Sequence, residues 1–342
     1  MTNTAAQNAA GLAEAFAKSA ATTDRAGYPA EQVAQLAQAG LFKIHAAPFS
    51  VQAESLRALA QACGASTWFA ATGAAAVAHA AKANADVLAE IGAGDRFCTI
   101  ASAPHNTTLT RSSAGIRLDG VWPSVGGLDH AEWVILDGVR DGDQVVSVIA
   151  PTSALKASEF LYFGGVRGVK WRKLEATALE IPAHRIGVKL DASARLDPLI
   201  GAVLGGAEGV YTLYTTSTKA RISGVGGHAV ARFTQVQARL AESHADLKVC
   251  RALYAELLSN TDAGKADAET QRDQAYIVRT AMSAANRLLS QMGAMGLSET
   301  NPVQRQYRDL RVFASAPSFN WDASFAAFGR AELGVEDASR AA

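Results

Sequence analysis

The chain has 342 residues, 49% hydrophobic and 19% charged, a balance that belongs to a folded protein of two or three structural units and excludes a disordered one. Lys plus Arg and Asp plus Glu each total 32, so there is no positive excess to bind nucleic acid or an anionic membrane, and zero net charge does little to oppose self-association. The three cysteines, Cys63, Cys98 and Cys250, are widely spaced without a CxxC pair, which argues against a disulfide framework or a zinc site; reduced thiols, a cytoplasmic setting and no metal are expected.

The first residues carry no basic leader, and the longest apolar run, Phe69 to Ala81, is too short and interrupted to span a bilayer. Residues 5 to about 92 read as helices. Pro29 opens one, Val33, Leu36, Ala37 and Leu41 recur at helical spacing, and Gly40 closes it, with Phe42 to Pro48 continuing as an extended segment. Ser55 to Cys63 is a second amphipathic stretch. Ser66 to Ala81 is rich in Ala and Gly and apolar on most sides, as a buried helix would be. From Phe97 to about Pro182 the pattern changes to strands. Val134–Leu136 and Val145–Ile149 are β-branched runs, separated by a turn-rich connection from Asp137 to Asp143. Strands at this spacing predict an antiparallel barrel or sandwich. Helix returns in Leu199–Ala220, Ala229–Leu258 and Asp273–Met292; Pro302 opens a fourth helix and Pro317 interrupts or ends it. Thr261 to Glu269 reads as the most mobile loop. The expected class is α+β, mainly α, in three parts: an N-terminal helical domain (1–93), a middle β-barrel domain (94–189) and a C-terminal four-helix bundle (190–342).

The stretch from Gly120 to Trp133 is the central motif. Gly120, Trp122, Gly127, His130, Ala131 and Trp133 fall in register with Gly-x-Trp-x-Phe-x-Ser-Gly-x-x-His-Ala-x-Trp, a pattern of the flavin-dependent monooxygenases of the acyl-CoA dehydrogenase superfamily. Gly164–Gly168 with Leu179–Arg185, Leu196–Asp197 with Gly205–Gly209, and Gln291–Leu297 with Asn301–Asp309 resemble further landmarks of that superfamily in the same order. The chain is therefore identified as resembling a two-component flavin monooxygenase with the acyl-CoA dehydrogenase fold.

The resemblance implies a reduced FMN or FAD delivered by a separate flavin reductase, a small-molecule substrate, and a homotetramer or homodimer. Trp122 would lie against the isoalloxazine, and Ser124 would hydrogen-bond its edge. Gly126 and Gly127 would let backbone approach a planar ligand, and Ser102 would lie on the flavin's pyrimidine side. Arg221 and Gln291 would lie toward the phosphate end, and Gln291 with Gly293 matches a Gln-x-x-Gly that often reaches the flavin of a neighbouring subunit. Residue by residue, the Gly120–Trp133 stretch also reads as a strand with a core tryptophan and a glycine bulge.

Several family features are missing. The two positions where acyl-CoA dehydrogenases place a catalytic glutamate fall at Pro317 and Leu199. Ala314–Ser318 holds no His, and the family's Ser before Gly127 is Gly126. His105, His79 and His130 are the candidate acid–base groups. His79 is on the helix expected to cover the substrate, and His130 also reads as a structural cap. Three readings stay open: a monooxygenase, an acyl-CoA oxidoreductase with a relocated base, and a flavin-binding homologue without turnover. In the third, Trp171 or Arg172 would fill the cavity. Gly224–His228 lies between helices and is no dinucleotide loop, His244 and Cys250 share no helix face, and no Gly-x-Ser-x-Gly elbow is present.

Overall fold

In a computed structural model, residues 4–83, 85–92, 94–102, 104–113, 115–188, 196–224 and 226–335 are described. They form two compact units, one from residues 1–47 and 65–191, the other from 48–64 and 192–342. No helix among the described residues is long and apolar enough to cross a membrane.

In the first unit, α1 (Thr4–Ala26), α2 (Ala30–Gln38), α4 (Gly64–Ala83) and α5 (Ala85–Glu90) accompany eight strands, while α3 (Phe49–Ala60) belongs to the second unit. Gly40 turns the chain at φ +75°, and Leu41–Ala46 then forms a 3-10 helix rather than the expected extended segment. Helical winding puts Leu41, Phe42 and Ile44 into the core together, which alternation along a strand would not.

The strands are β1 (Cys98–Ala101), β2 (His105–Ser112), β3 (Gly115–Val125), β4 (Trp133–Asp141), β5 (Gln144–Pro151), β6 (Lys156–Phe160), β7 (Arg172–Glu180) and β8 (Ile186–Val188). They make two four-stranded sheets, β1-β4-β5-β8 and β2-β3-β7-β6, in which only β1 and β4 run parallel. Period two explains the sandwich. Val134, Leu136, Val146 and Val148 meet Leu118, Trp122 and Leu174 in one core, while Ile135 and Ile149 on the opposite face pack with Ala76 and Ala80 of α4. The connection expected between Asp137 and Asp143 is mostly strand. β4 runs through Gly138 (φ +79°) with a register shift between Leu136 and Val139, and the turn is confined to Gly142–Asp143.

The second unit is built on α6 (Leu199–Ala220), α7 (Thr234–Asp262), α8 (Ala268–Ser290) and α9 (Pro302–Ala314), with α3 and α10 (Trp321–Leu333) added. Asp267 caps α8 through the Thr270 N–H, and Asn301 caps α9 through the Val303 N–H with Pro302 next to it. α3 meets α6 where glycines allow backbone contact. A Cβ on Gly201 would lie 1.9 Å from the Ala53 carbonyl oxygen, and one on Gly205 would lie 2.2 Å from that of Arg57. Arg57 locks the pair with a bidentate bridge to Glu208 at 2.9 and 2.8 Å, joined by Arg251 and Gln61. Burial opposes the Glu208 charge, but these donors outweigh it and hold its carboxyl below the usual range.

Candidate functional site

The motif residues of the first unit fold into a filled corner. β3 alternates so that Leu118, Gly120 and Trp122 face the sandwich core. Trp122 is fully buried, and its indole N–H donates to the Asp137 carbonyl at 3.1 Å. The ring thus offers no surface for a flavin to lie against, a correction to the expected stacking. Ser124 is half-buried on the same strand.

Beyond β3, Gly126 and Gly127 do permit a close approach, but the approaching groups are the protein's own. A Cβ on Gly126 would meet Val169 at 2.4 Å and the Trp68 indole at 2.9 Å; on Gly127, at φ +71°, it would meet Phe97, Phe69 and Trp68. The polar groups of the turn are also engaged. Thr99 Oγ1 donates to the Gly126 carbonyl at 2.8 Å, and the Gly127 N–H donates to the Val169 carbonyl at 2.9 Å. The planar group against this turn is Trp68, which packs edge-on against Phe69 and Trp171 at 5.3 and 5.4 Å. Trp68 was missed in the sequence, although a tryptophan in the Ala- and Gly-rich α4 was a visible signal. Arg172 lies 3.8 Å over Phe160 and reaches Asp129 at 3.1 Å.

The histidines separate. His79 is buried on α4 and shares a 2.6 Å hydrogen bond with Ser147 Oγ of β5; burial pushes its imidazole pKa down. It faces a strand rather than an open cavity, which corrects its expected place over the substrate. His105 is exposed at the start of β2, and Ser102 is exposed just before it. His130 is half-buried, edge-on to Phe69 at 5.4 Å, and lines a cavity of about 400 Å³ with Val33, Ala37, Phe42 and Phe97.

In the second unit, Arg221 and Gln291 come together. Arg221 caps the C-terminal end of α6 in extended conformation, and its carbonyl accepts from the Val230 N–H. Its Nη2 donates at 3.3 Å to the carbonyl of Gln291, the C-cap of α8. Its Nη1 is buried, with no acceptor among the described residues. A buried, always-charged guanidinium nitrogen without an acceptor is costly unless an anion completes it, so this corner fits a phosphate oxygen. Gly293 follows at φ +59° and is exposed.

Beside the missing glutamates lies a carboxylate that the sequence marked as a landmark but not as a candidate acid–base group. Asp197 precedes Leu199, and Ser318 follows Pro317; Ser318 Oγ donates to Asp197 Oδ2 at 2.8 Å, and the Leu199 N–H donates to Oδ1 at 2.9 Å. Burial pushes the Asp197 carboxyl up against the two hydrogen bonds that favour its charge. Gln274 ties the pair down by accepting from the Asp197 N–H at 2.8 Å and donating to the Ser318 carbonyl at 3.3 Å.

The first unit is thus a β-sandwich with flanking helices, and the second a helical bundle that carries one buried guanidinium nitrogen with no acceptor among the described residues. Residues 199–321 match the acyl-CoA dehydrogenase C-terminal domain family. The chain is 25% identical, over 96% of its length and 93% of the relative's, to the oxygenase component of the FADH(2)-dependent resorcinol hydroxylase of Rhizobium sp. (strain MTP-10005). The HsaA monooxygenase of M. tuberculosis has a similar crystal structure, with TM-score 0.80, 20% identity and 98% of both chains covered. XiaF from Streptomyces sp., solved with FADH2 and glycerol, also gives 0.80, at 18% identity over 97% of this chain and 95% of its own. Over most of its length the chain is similar to oxygenase components of flavin-dependent monooxygenases, and its residues 199–321 carry the acyl-CoA dehydrogenase C-terminal domain.

Proposed function

We propose that this protein is the oxygenase component of a two-component, cytoplasmic system: it takes reduced flavin from a separate reductase and hydroxylates a small aromatic or heteroatom-bearing molecule. The observation that carries the reading is the match to a resorcinol hydroxylase oxygenase component over nearly the whole of both chains. The absence of a carboxylate at Leu199 and Pro317 supports it against ordinary acyl-CoA dehydrogenation. The FADH(2)-dependent relative and the FADH2-bound neighbour support reduced FAD over FMN.

Reduced flavin supplies the oxygen chemistry when bound; the chain's residues bind and orient it and keep water away. Arg221 Nη1 would pair with a phosphate oxygen, beside Gln291 and the exposed Gly293. Ser124 is the hydroxyl available on β3, since Gly126 has none. His79 is withdrawn from acid–base duty by its Ser147 bond, leaving His105 and His130 to move a substrate proton. Exposed Met295 and Leu297, next to the Gln291 turn, support self-association into a dimer or tetramer.

The test is an anaerobic titration with reduced FAD and reduced FMN. Oxygen and resorcinol or 4-hydroxyphenylacetate are then added, with products read by mass spectrometry. Tight binding of reduced flavin and a product one oxygen heavier are expected; binding of oxidised FAD with reduction by an acyl-CoA would overturn the reading.

A second reading, a dehydrogenase with a relocated base, is favoured by one observation: the Asp197–Ser318 pair beside both glutamate positions. Asp197→Asn separates the two. It leaves hydroxylation within about threefold of the parent under the first reading, a carboxamide oxygen still accepting from the Leu199 N–H. Under the second it removes roughly two or more orders of magnitude of flavin reduction by an acyl-CoA.

A further inference from the structure

The connection from β6 to β7 holds a cavity that the flavin reading does not use. It is a partly open hollow of about 150 Å³ between this connection and the end of α1, roughly the volume that accommodates a benzene ring in a protein interior. Its walls are aromatic: Phe160, Tyr162, Phe163 and Trp171. Phe163 and Trp171 pack with ring centroids 5.1 Å apart. Three cations, Arg25, Arg167 and Lys170, line it against one carboxylate, that of the buried Asp24. Arg167 sits 4.9 Å over the Tyr162 ring and Lys170 5.3 Å over that of Phe160, so cations and rings are interleaved.

Two further observations mark it as a built site. The Trp171 indole nitrogen is buried with no acceptor among the described residues. An N–H held away from water without a partner is a cost that a ligand oxygen would remove. Val166 (φ +51°) and Lys170 (φ +59°) are both held in the left-handed region, which is strained for a β-branched residue and characteristic of ligand-binding loops. The surroundings fix this shape. The Tyr28 N–H donates to the Gly168 carbonyl at 2.9 Å, the Leu161 N–H to the Trp171 carbonyl at 2.7 Å, and Lys170 Nζ to the Arg25 carbonyl at 3.2 Å. Phe160 and Tyr162 nevertheless remain 49% and 73% exposed, so the aromatic wall is open to an incoming ring.

We propose that this cavity binds a single-ring aromatic carboxylate, its ring against Phe163 and Trp171, its carboxylate among the cations and accepting from the Trp171 N–H. Apolar walls alone would take any arene. The excess of cations and the unpartnered donor select one that carries an anionic oxygen. The lining includes none of Arg221, Gln291 and Ser124, and the proposal does not depend on flavin being the cofactor.

Isothermal titration calorimetry of the full, flavin-free chain tests this, with benzoate as probe and benzamide as its uncharged analogue. One benzoate per chain is expected, with benzamide weaker by about tenfold or more. Trp171→Phe, which keeps the ring and removes the N–H, is expected to weaken benzoate about fivefold. Lys170→Gln, which keeps the stem and removes the charge, is expected to weaken it similarly, with both variants melting like the parent. Absence of benzoate binding, equal binding of benzamide, or unchanged affinity in both variants would each overturn the proposal. None of these results would alter the reduced-flavin titration, so failure here is distinguishable from failure of the oxygenase reading.

Discussion

The Gly126–Gly127 turn and the Arg221–Gln291 corner both lie in sequence that resembles flavin-contacting motifs, yet they are opposites. At the turn the Gly126 carbonyl, the Gly127 N–H and the Gly127 carbonyl each have a partner, and the planar surface is already covered by Trp68, Phe69 and Phe97. At the corner a guanidinium nitrogen is buried without an acceptor and the neighbouring glycine is exposed. Completed hydrogen bonding and tight packing mark a place that the fold needs for itself; an unanswered donor marks a place held for something else.

Substitutions can break this contrast. Gly127→Val should have the largest effect, because it puts a β-branched residue at φ +71° with its Cβ against three aromatic rings. A loss of about 3 kcal/mol or more is expected in urea unfolding. A stable Gly127→Val protein would mean that the aromatic cover is loose. Arg221→Ala should do the reverse and leave the unfolding midpoint nearly unchanged, since among the described residues its side chain makes a single long bond, to Gln291. It should weaken reduced-flavin binding by roughly tenfold to a hundredfold, the worth of one charged hydrogen bond. A variant that unfolds but binds flavin normally would reverse the assignment.

A third experiment uses pH. Burial lowers the folded-state pKa of His79, so the unfolded chain binds the extra proton first. The contribution is complete above the unfolded value, near 6.5, and declines as pH falls toward the depressed folded value, by up to about 1.4 kcal/mol per pH unit. His79→Gln should flatten the fall in stability between about pH 7 and pH 5. It should do so only in part, because His45 is shifted in the same direction by its own burial. The smallest effect concerns the thiols. All three cysteines are buried and in no disulfide, and burial pushes Cys98 and Cys250 up to about 12. A thiol reagent should label the native protein slowly and the unfolded one at once.

Helix periodicity and proline punctuation were enough to find α6 residue for residue and to start α9 at Pro302. They blurred where tertiary contact decides. α3 begins at Phe49 rather than near Ser55, and α10 emerges as a separate helix after the Pro317 interruption. Arg221 and Gln291 were legible singly, as residues of recognisable landmarks, but their contact was not. The fate of Trp122 was not, since a tryptophan on a strand looks the same whether its face meets a ligand or the opposite sheet. Asp197 was hidden for another reason: its importance comes from Ser318, 121 positions away.

The assignment of Pro48–Gly64 to the second unit has a consequence for how the chain is made. As the protein leaves the ribosome, α3 emerges early, but Gly201 and Gly205, the surface it is shaped to meet, are synthesised about 140 residues later. Until then Leu56 and Leu59 have no home, and the nascent chain carries an orphan apolar helix of the sort that holdase chaperones grip. The N-terminal half is therefore not a self-sufficient fragment: cut near residue 191, it should keep its sandwich and drag an unpaired α3 into aggregation unless residues 48–64 are replaced by a short polar loop.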